Sequence, residues 1–324
     1  MSLKTRRNQV IIAIGLFISV EVILRTLVDP PADYYHFYRT HGADGHQMLE
    51  KMGSSTQLLA GANKLLKIDK DLLWTIKPNL TIDAESLSFS GSDPWSITTN
   101  SDGFRDREGE KSTWLALGDS CTFGWGSKKN WTDILEVSID QPIQNISVPG
   151  YSSAQGKSLL EQRGESKIDI MTLNFGANDG HMVFEGDHKK INQRQTIVGQ
   201  FRYWLASLHV VQHARSWLYS FWADGTVVAW KAGVYQPRVT PEEFLQNHEF
   251  MIQKAKKTIL LDICIREEYS IILQDLAQKY EHVDLIKYKD LNEQTVDGCH
   301  PTIQGHHALA NSIAKLIDTS SVAP

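Results

Sequence analysis

From Thr113 onward, short apolar runs of strand length alternate with longer amphipathic stretches, and that order leaves few architectures open. TWLALG (113–118), IQNISV (143–148), IDIMTLNF (168–175), TILLDIC (258–264) and HVDLIK (282–287) are rich in apolar residues, as strands covered on both faces are. Between and after them, 153–163, 242–257, 267–280 and 302–317 repeat apolar residues at helical spacing. Thr240-Pro241-Glu242-Glu243 opens one helix with a capping residue, a proline whose missing N–H is not needed there, and two acids in the first turn. Thr302 opens another. Strands joined by helices run parallel, so the pattern predicts an α/β domain: a parallel sheet with helices on both faces.

One gap interrupts the alternation, from about Gly180 to Thr240, too long for a structureless loop in a compact domain. Phe201, Trp204, Leu205 and Leu208 keep helical spacing there, and Trp217, Leu218, Phe221, Trp222 and Trp230 follow. Four of the nine tryptophans thus fall in a helical insertion at about 181–240. Its aromatics either complete the core or form a lid or membrane-facing surface. Residues 30–110 hold Pro30, Pro31, Pro78 and Pro94 and few long periodic runs, which reads as a stalk and an irregular lead-in to a main domain at 111–324.

Segment 1–29 follows a different logic. Lys4, Arg6 and Arg7 precede VIIAIGLFISV (10–20), and apolar character continues to Val28 apart from Glu21, Arg25 and Thr26. About twenty helical residues cross roughly 30 Å of hydrocarbon. Glu21 and Arg25, four apart, share a helix face near one end, where they can pair. The uninterrupted eleven-residue run would also suit a cleaved signal peptide, but no A-x-A-like site precedes the next charges, which favours an uncleaved anchor. The basic cluster puts the N-terminus in the cytoplasm and everything after Val28 across the membrane, periplasmic or at the cell surface in a bacterium. Tyr34, Tyr35, Phe37 and Tyr38 read as an aromatic belt at the far interface or as a packed loop. The bilayer is therefore one expected partner.

Setting that segment aside leaves about 290 of 324 residues, enough for one domain with additions. With 41% hydrophobic residues and 22 Gly besides, wholesale disorder is excluded. The formal charge of −5 leaves no positive excess to meet phosphate backbones, so no nucleic-acid partner is expected. Cys121, Cys264 and Cys299 contain no CxxC pair; they suggest neither a disulfide-dense scaffold nor a structural zinc site, and leave the redox compartment open.

Chemistry-bearing residues gather where strands end. TWLALG runs into Asp119-Ser120-Cys121-Thr122-Phe123-Gly124, placing Ser120 at a carboxyl edge, where open α/β sheets build their sites. Neither the phosphate loop GxxxxGK[ST] nor the elbow G-x-S-x-G is matched. Asp297-Gly298-Cys299-His300-Pro301 opens the last helix, and an Asp three residues before a His can accept the imidazole N–H and fix its tautomer. Taken alone, that pair would read as a capped surface turn. Asn178, in Gly176-Ala177-Asn178-Asp179, follows the strand IDIMTLNF, and Gly150 follows IQNISV with a free backbone N–H. Together these supply a nucleophile, a base, an orienting carboxylate and oxyanion donors.

With these residues in that order the chain resembles the SGNH or GDSL-type hydrolases, in a membrane-anchored form. Ser120 in GDSCTFG, Gly150 in NISVPGYSSAQG, Asn178 in FGAND, and Asp297 with His300 in DGCHP match the four blocks of that family, over roughly 100–318. Asn100-Ser101-Asp102-Gly103-Phe104-Arg105 is similar to the segment that leads into the domain of anchored members. The resemblance implies a three-layer α/β/α flavodoxin-like fold and no metal or organic cofactor. It implies Ser120, Asp297 and His300 as a triad, and Ser120, Gly150 and Asn178 as the oxyanion hole. The substrate would be an acyl ester of lipid or carbohydrate, cleaved outside the cytoplasm through an acyl-enzyme. An O-acyltransferase acting on an envelope polysaccharide would use the same residues, and a silent module of this fold would be free to lose the blocks that are intact here.

Other residues invite weaker readings. His306 and His307 with His300 lack the spacing of a zinc site and read as helix surface. His36, His41 and His46 in the stalk read as solvated. Cys121 and Cys299 flank nucleophile and base, so the fold should bring them into one neighbourhood, as small pocket-lining residues or, if their Cα atoms come within about 7 Å, as a disulfide. Asn79, Asn130 and Asn145 begin N-x-S/T strings, and Asn145 sits in an expected strand, which argues against glycosylation there.

Overall fold

The computed structural model describes residues 3–27, 65–82, 95–109, 112–165, 168–183, 185–214, 236–291 and 295–320. Helix α1 (Leu3–Leu27) is followed by a hairpin of β1 (Leu66–Asp69) and β2 (Leu73–Ile76), then β3 (Thr81–Ile82) pairing with β4 (Ile97–Thr98). The main domain continues with β5 (Trp114–Gly118), the single turn α2 (Ser120–Phe123), α3 (Trp131–Ile139), β6 (Gln144–Asn145), α4 (Ser153–Arg163) and β7 (Ile168–Asn174). The insertion runs from β8 (Met182–Val183) through α5 (Asp187–Gln195) and α6 (Ile197–Ala206) to β9 (Gln236–Pro237). Then come α7 (Pro241–Ile252), β10 (Ala255–Asp262), α8 (Glu267–Lys279), β11 (Val283–Lys287) and α9 (Ile303–Ser320).

Five parallel strands form the central sheet in the order β6-β5-β7-β10-β11. Counted along the main domain that is 2-1-3-4-5, the doubly wound flavodoxin order, with its switch point between β5 and β7. Successive residues of β5 serve opposite faces: Leu115 and Leu117 enter one apolar cluster, Trp114 and Ala116 the other. Leu159 and Leu160 of α4, Phe244 and Met251 of α7 and Leu273 of α8 fill the first; Trp131 and Leu135 of α3 and Leu309 and Ile313 of α9 fill the second. The expected α/β sandwich is therefore present, and each expected strand falls on an observed one.

Local chemistry sets the helix boundaries. Thr240 caps α7, its hydroxyl accepting from the Glu243 N–H while Glu243 returns a bond to the Thr240 N–H. That helix ends at Ile252 rather than at 257, because Ala255 onward pairs with Ile168 as strand. Helix α3 has no counterpart among the expected helices. Its Asn130, read only as the start of an N-x-S/T string, is a fully buried capping-box residue whose Oδ1 accepts from the Asp133 N–H at 2.9 Å.

Residues 65–82 and 95–109 do more than lead in: Leu65, Trp74, Ile76, Trp95, Ile97 and Phe104 all enter the core. Gly103 turns at φ +88°, and a Cβ there would meet the Ile76 carbonyl oxygen at 2.5 Å, so only glycine lets this segment close on β2. Arg105 then donates to the carbonyls of Phe123, Gly124, Ser127 and Lys128, fixing the loop that follows the serine.

Within α1, the 22 residues Arg6–Leu27 are long and apolar enough to cross a membrane. Arg25 Nε donates to Glu21 Oε1 at 2.6 Å, the pairing their spacing suggests. The belt residues Tyr34, Tyr35, Phe37 and Tyr38, the stalk histidines His36, His41 and His46, and Trp217, Leu218, Phe221, Trp222 and Trp230 lie outside the described residues.

Candidate active site

The carboxyl ends of the strands converge at the switch point. Ser120 stands immediately beyond β5, on α2, whose cap is Asp119. Asp119 is fully buried; its carboxylate accepts from the Cys121 N–H at 2.9 Å and the Asn178 amide at 3.0 Å. Burial pushes this carboxyl up to about 6, against the opposing pull of the Cys121 N–H, the nearby His300 and Asn178.

His300 reaches Ser120 from the far end of the sequence. Its Nε2 lies 2.8 Å from Ser120 Oγ, and its Nδ1 lies 2.7 Å from Asp297 Oδ2. Asp297 also accepts the backbone N–H groups of Cys299 and His300 at 3.1 and 2.9 Å, and Thr295 bridges Pro301, closing the loop on itself. Burial raises the Asp297 carboxyl, but the bonds and charge of His300 and the two backbone donors outweigh it and hold the group at about 2. It is a carboxylate at any ordinary pH.

A disulfide fixes this loop to the sheet. Cys299 pairs with Cys264, just beyond β10, and not with Cys121. Cys121 remains a buried thiol in the same neighbourhood, 4.0 Å from the Cys299 carbonyl oxygen. Sulfur and nitrogen atoms of Cys121, Cys299 and His300 lie within 4.8 Å of one another, but the disulfide removes the Cys299 thiolate that a metal would need. His306, expected at the helix surface, is instead buried, because α9 turns 306, 309, 310 and 313 inward together; His307 stays exposed.

Gly150 and Asn178 arrive from the neighbouring strands. Gly150 adopts φ +80°. The N–H groups of Ser120 and Gly150 have no acceptor among the described residues. Asn178 Nδ2 donates to Asp119 Oδ2 at 3.0 Å and to the Tyr151 carbonyl at 3.2 Å, so both amide hydrogens are engaged and an oxyanion would have to share or replace the longer bond. Asp179 anchors the same turn by accepting from the Gly176 and Ser153 N–H groups, and burial pushes it up to about 7.

Three residues without a sequence motif support Gly150. Trp74 Nε1 donates to the Pro149 carbonyl at 3.1 Å, and that carbonyl belongs to the same peptide unit as the Gly150 N–H. Arg238 donates to the Gly150 carbonyl at 2.9 Å and is itself fully buried, paired with Asp187 at 2.6 Å and stacked over the Trp74 ring. Burial raises Asp187, but the charges of Arg238 and Lys190 outweigh it and hold the carboxyl at about 2. Trp74 comes from the β1–β2 hairpin, Asp187 from α5 and Arg238 from the residues after β9. Nothing local in the sequence marks them.

Residues 115–313 match the GDSL-like lipase/acylhydrolase family. No curated protein matches the chain. Among solved structures it is similar to a GDSL-like lipase from Bacteroides thetaiotaomicron (13% identity, 64% of this chain and 87% of that one, TM-score 0.36). It is also similar to the C-terminal catalytic domain of Streptococcus pneumoniae peptidoglycan O-acetyltransferase A (12%, 67% and 98%, TM-score 0.37). A psychrotrophic esterase from a Pseudoalteromonas species is a further similar structure (15%, 64% and 100%, TM-score 0.33). The family match spans more than half of the molecule, including the strands that carry Ser120, Gly150 and Asn178 and the loop that carries Asp297 and His300, and the chain belongs to the GDSL-like lipase/acylhydrolase family.

Proposed function

We propose that the protein is a serine ester hydrolase whose catalytic domain is held outside the cytoplasm by α1. The observation that carries this reading is the unbroken line from Ser120 Oγ through the His300 ring to Asp297, with bonds of 2.8 and 2.7 Å. His300 Nε2 takes the hydroxyl proton as Ser120 Oγ bonds to the acyl carbon, and the ionised Asp297 steadies the imidazolium that forms. Charge then collects on the former carbonyl oxygen, where the N–H groups of Ser120 and Gly150 and the amide of Asn178 would meet it. The ester C–O bond breaks, and the alcohol leaves with the proton from His300. Water attacks the acyl-enzyme, gives a proton to His300, and the acid is released as Ser120 recovers its own.

A panel of p-nitrophenyl esters from acetyl to palmitoyl, turned over by the detergent-solubilised full chain, tests this reading. Turnover that disappears in Ser120→Ala supports it. Turnover that survives within about tenfold of wild type removes Ser120 from the nucleophile role, because losing a triad nucleophile costs several orders of magnitude.

A further inference from the structure

On α6, the side chains of Ile197, Val198, Phe201, Trp204 and Leu205 are exposed, with Ile197 at 86% and Phe201 at 59%. Their spacing puts them along one side of the helix, and an apolar stripe of this kind turned to water needs an explanation. The end of α6 supplies one. Arg25 donates to the Ser207 carbonyl at 3.2 Å, and Glu21 accepts the backbone N–H groups of His209 and Val210, each at 2.9 Å. The segment following α6 is thus hydrogen-bonded to α1 itself, with Glu21 satisfying two amide donors that the chain leaves open there.

Position along α1 gives the depth of that contact. At 1.5 Å per residue, Glu21 lies about 22 Å from Arg6, short of the roughly 30 Å that hydrocarbon occupies. A span anchored by Arg6 and Arg7 at the inner face therefore meets residues 207–210 below the outer boundary of the apolar layer. Both hydrogen-bonding partners at that depth are satisfied by each other, as a low-dielectric setting demands. We propose that α6 lies in the outer leaflet of the membrane that α1 crosses, with the bilayer as the occupant of its apolar stripe. This rests on reading α1 as a membrane span.

The placement brings lipid close to the proposed chemistry. Helix α5, immediately before α6, carries Asp187, whose partner Arg238 holds the Gly150 peptide. At its other end, Arg194 donates to the carbonyls of Asp69 and Leu73 in the β1–β2 hairpin. A chain of contacts therefore runs from α5, which leads into the embedded helix through the extended Thr196, to the Gly150 carbonyl, suited to a substrate whose acyl chain starts in the leaflet.

The test uses the full chain in phosphatidylcholine vesicles whose acyl chains are brominated close to the glycerol. Alkaline carbonate extraction comes first: release of the protein would overturn both the span and the embedded helix. If the protein is retained, lipid bromines should quench wild-type tryptophan emission more than that of Trp204→Phe, and acrylamide should reach Trp204 poorly. Equal bromine quenching of the two proteins overturns the proposal and leaves the span standing, whether Trp204 then proves open to acrylamide or shielded by a second copy. In a companion assay, Phe201→Ser with Trp204→Ser should lower turnover of a vesicle-embedded long-chain ester by about tenfold or more, with a soluble acetyl ester unaffected. Equal loss on both substrates overturns the proposal as well.

Discussion

In the proposed mechanism Trp74 acts at a distance from the reacting atoms, through its N–H to the Pro149 carbonyl. Replacing it with Phe keeps an aromatic ring beside Tyr151, 5.8 Å away between ring centres in the wild type, but removes the donor to Pro149 and trims the ring that packs on Gly150 and under the Arg238 guanidinium. The Pro149 carbonyl would lose a buried bond worth about 1–2 kcal/mol, and the Gly150 N–H would lose its fixed direction. The expected result is kcat lowered about tenfold with KM unchanged, read by steady-state kinetics on a soluble ester. An unchanged kcat would detach Gly150 from the oxyanion. Asn178→Ala should cost more, about 10² to 10³ in kcat, because it removes the donor itself. An effect confined to KM would take Asn178 out of that role. The two residues also differ in legibility. Asn178 lies in a block that follows a strand at the switch point and can be read from the chain. Trp74 acts on a carbonyl 75 positions away, and no local pattern encodes such a bond.

Among elements, most of those marked by local periodicity are readable in the chain, α3 with its own capping box being an exception, and those that depend on a distant partner are not. Buried strands such as WLALG announce themselves by composition. The end of α7 does not, since only pairing of Ala255 with Ile168 stops the helical spacing from continuing to 257. Likewise Cys299 finds Cys264 because the loop after β11 folds back beside the end of β10, a neighbourhood the spacing of three cysteines could not reveal. That crosslink closes a separation of 35 residues, for which chain entropy predicts about 3–4 kcal/mol of stabilisation. Cys264→Ser should show a loss of that order in denaturant unfolding, with ester turnover falling alongside as the Asp297–His300 loop loosens. Stability equal to wild type would mean the bond does not form in the protein as purified. Deleting residues 1–29 should yield a protein active on soluble esters, because every candidate catalytic side chain lies beyond Gly118; a folded but inactive product would give α1 a role past anchoring.

At the scale of the whole molecule, buried ionisable groups make stability depend on pH in opposing senses. Burial pushes His248 down to about 4; burial, with the charges of Arg105 and His300, pushes His306 down to about 3. Both sit below the unfolded value of about 6.5, so their stabilising contribution is present above 6.5 and is lost as pH falls toward 4 and 3. Asp119 and Asp179 run the other way: raised to about 6 and 7, they stabilise most when protonated and lose that contribution as pH rises through those values. Comparing wild type with His306→Leu isolates one histidine. Between pH 6 and 4 the stability difference should change by up to about 1.4 kcal/mol per pH unit in favour of the variant on acidification, measured by urea unfolding. A difference that does not move with pH would place the imidazole in contact with water.

Ser120 and His300 stand 180 residues apart, and α9 lies across the sheet face opposite α4, α7 and α8. During synthesis at roughly 5–20 residues per second, Ser120 is joined to the chain about 10 to 40 seconds before His300. Every strand of the sheet is made before the loop bearing His300, and contacts of such long sequence separation are slow to form. On the roles proposed for Ser120 and His300, catalytic competence is the last thing the chain acquires, and a copy cut short before His300 carries an inert serine. On dilution from denaturant, far-ultraviolet ellipticity should recover ahead of ester turnover.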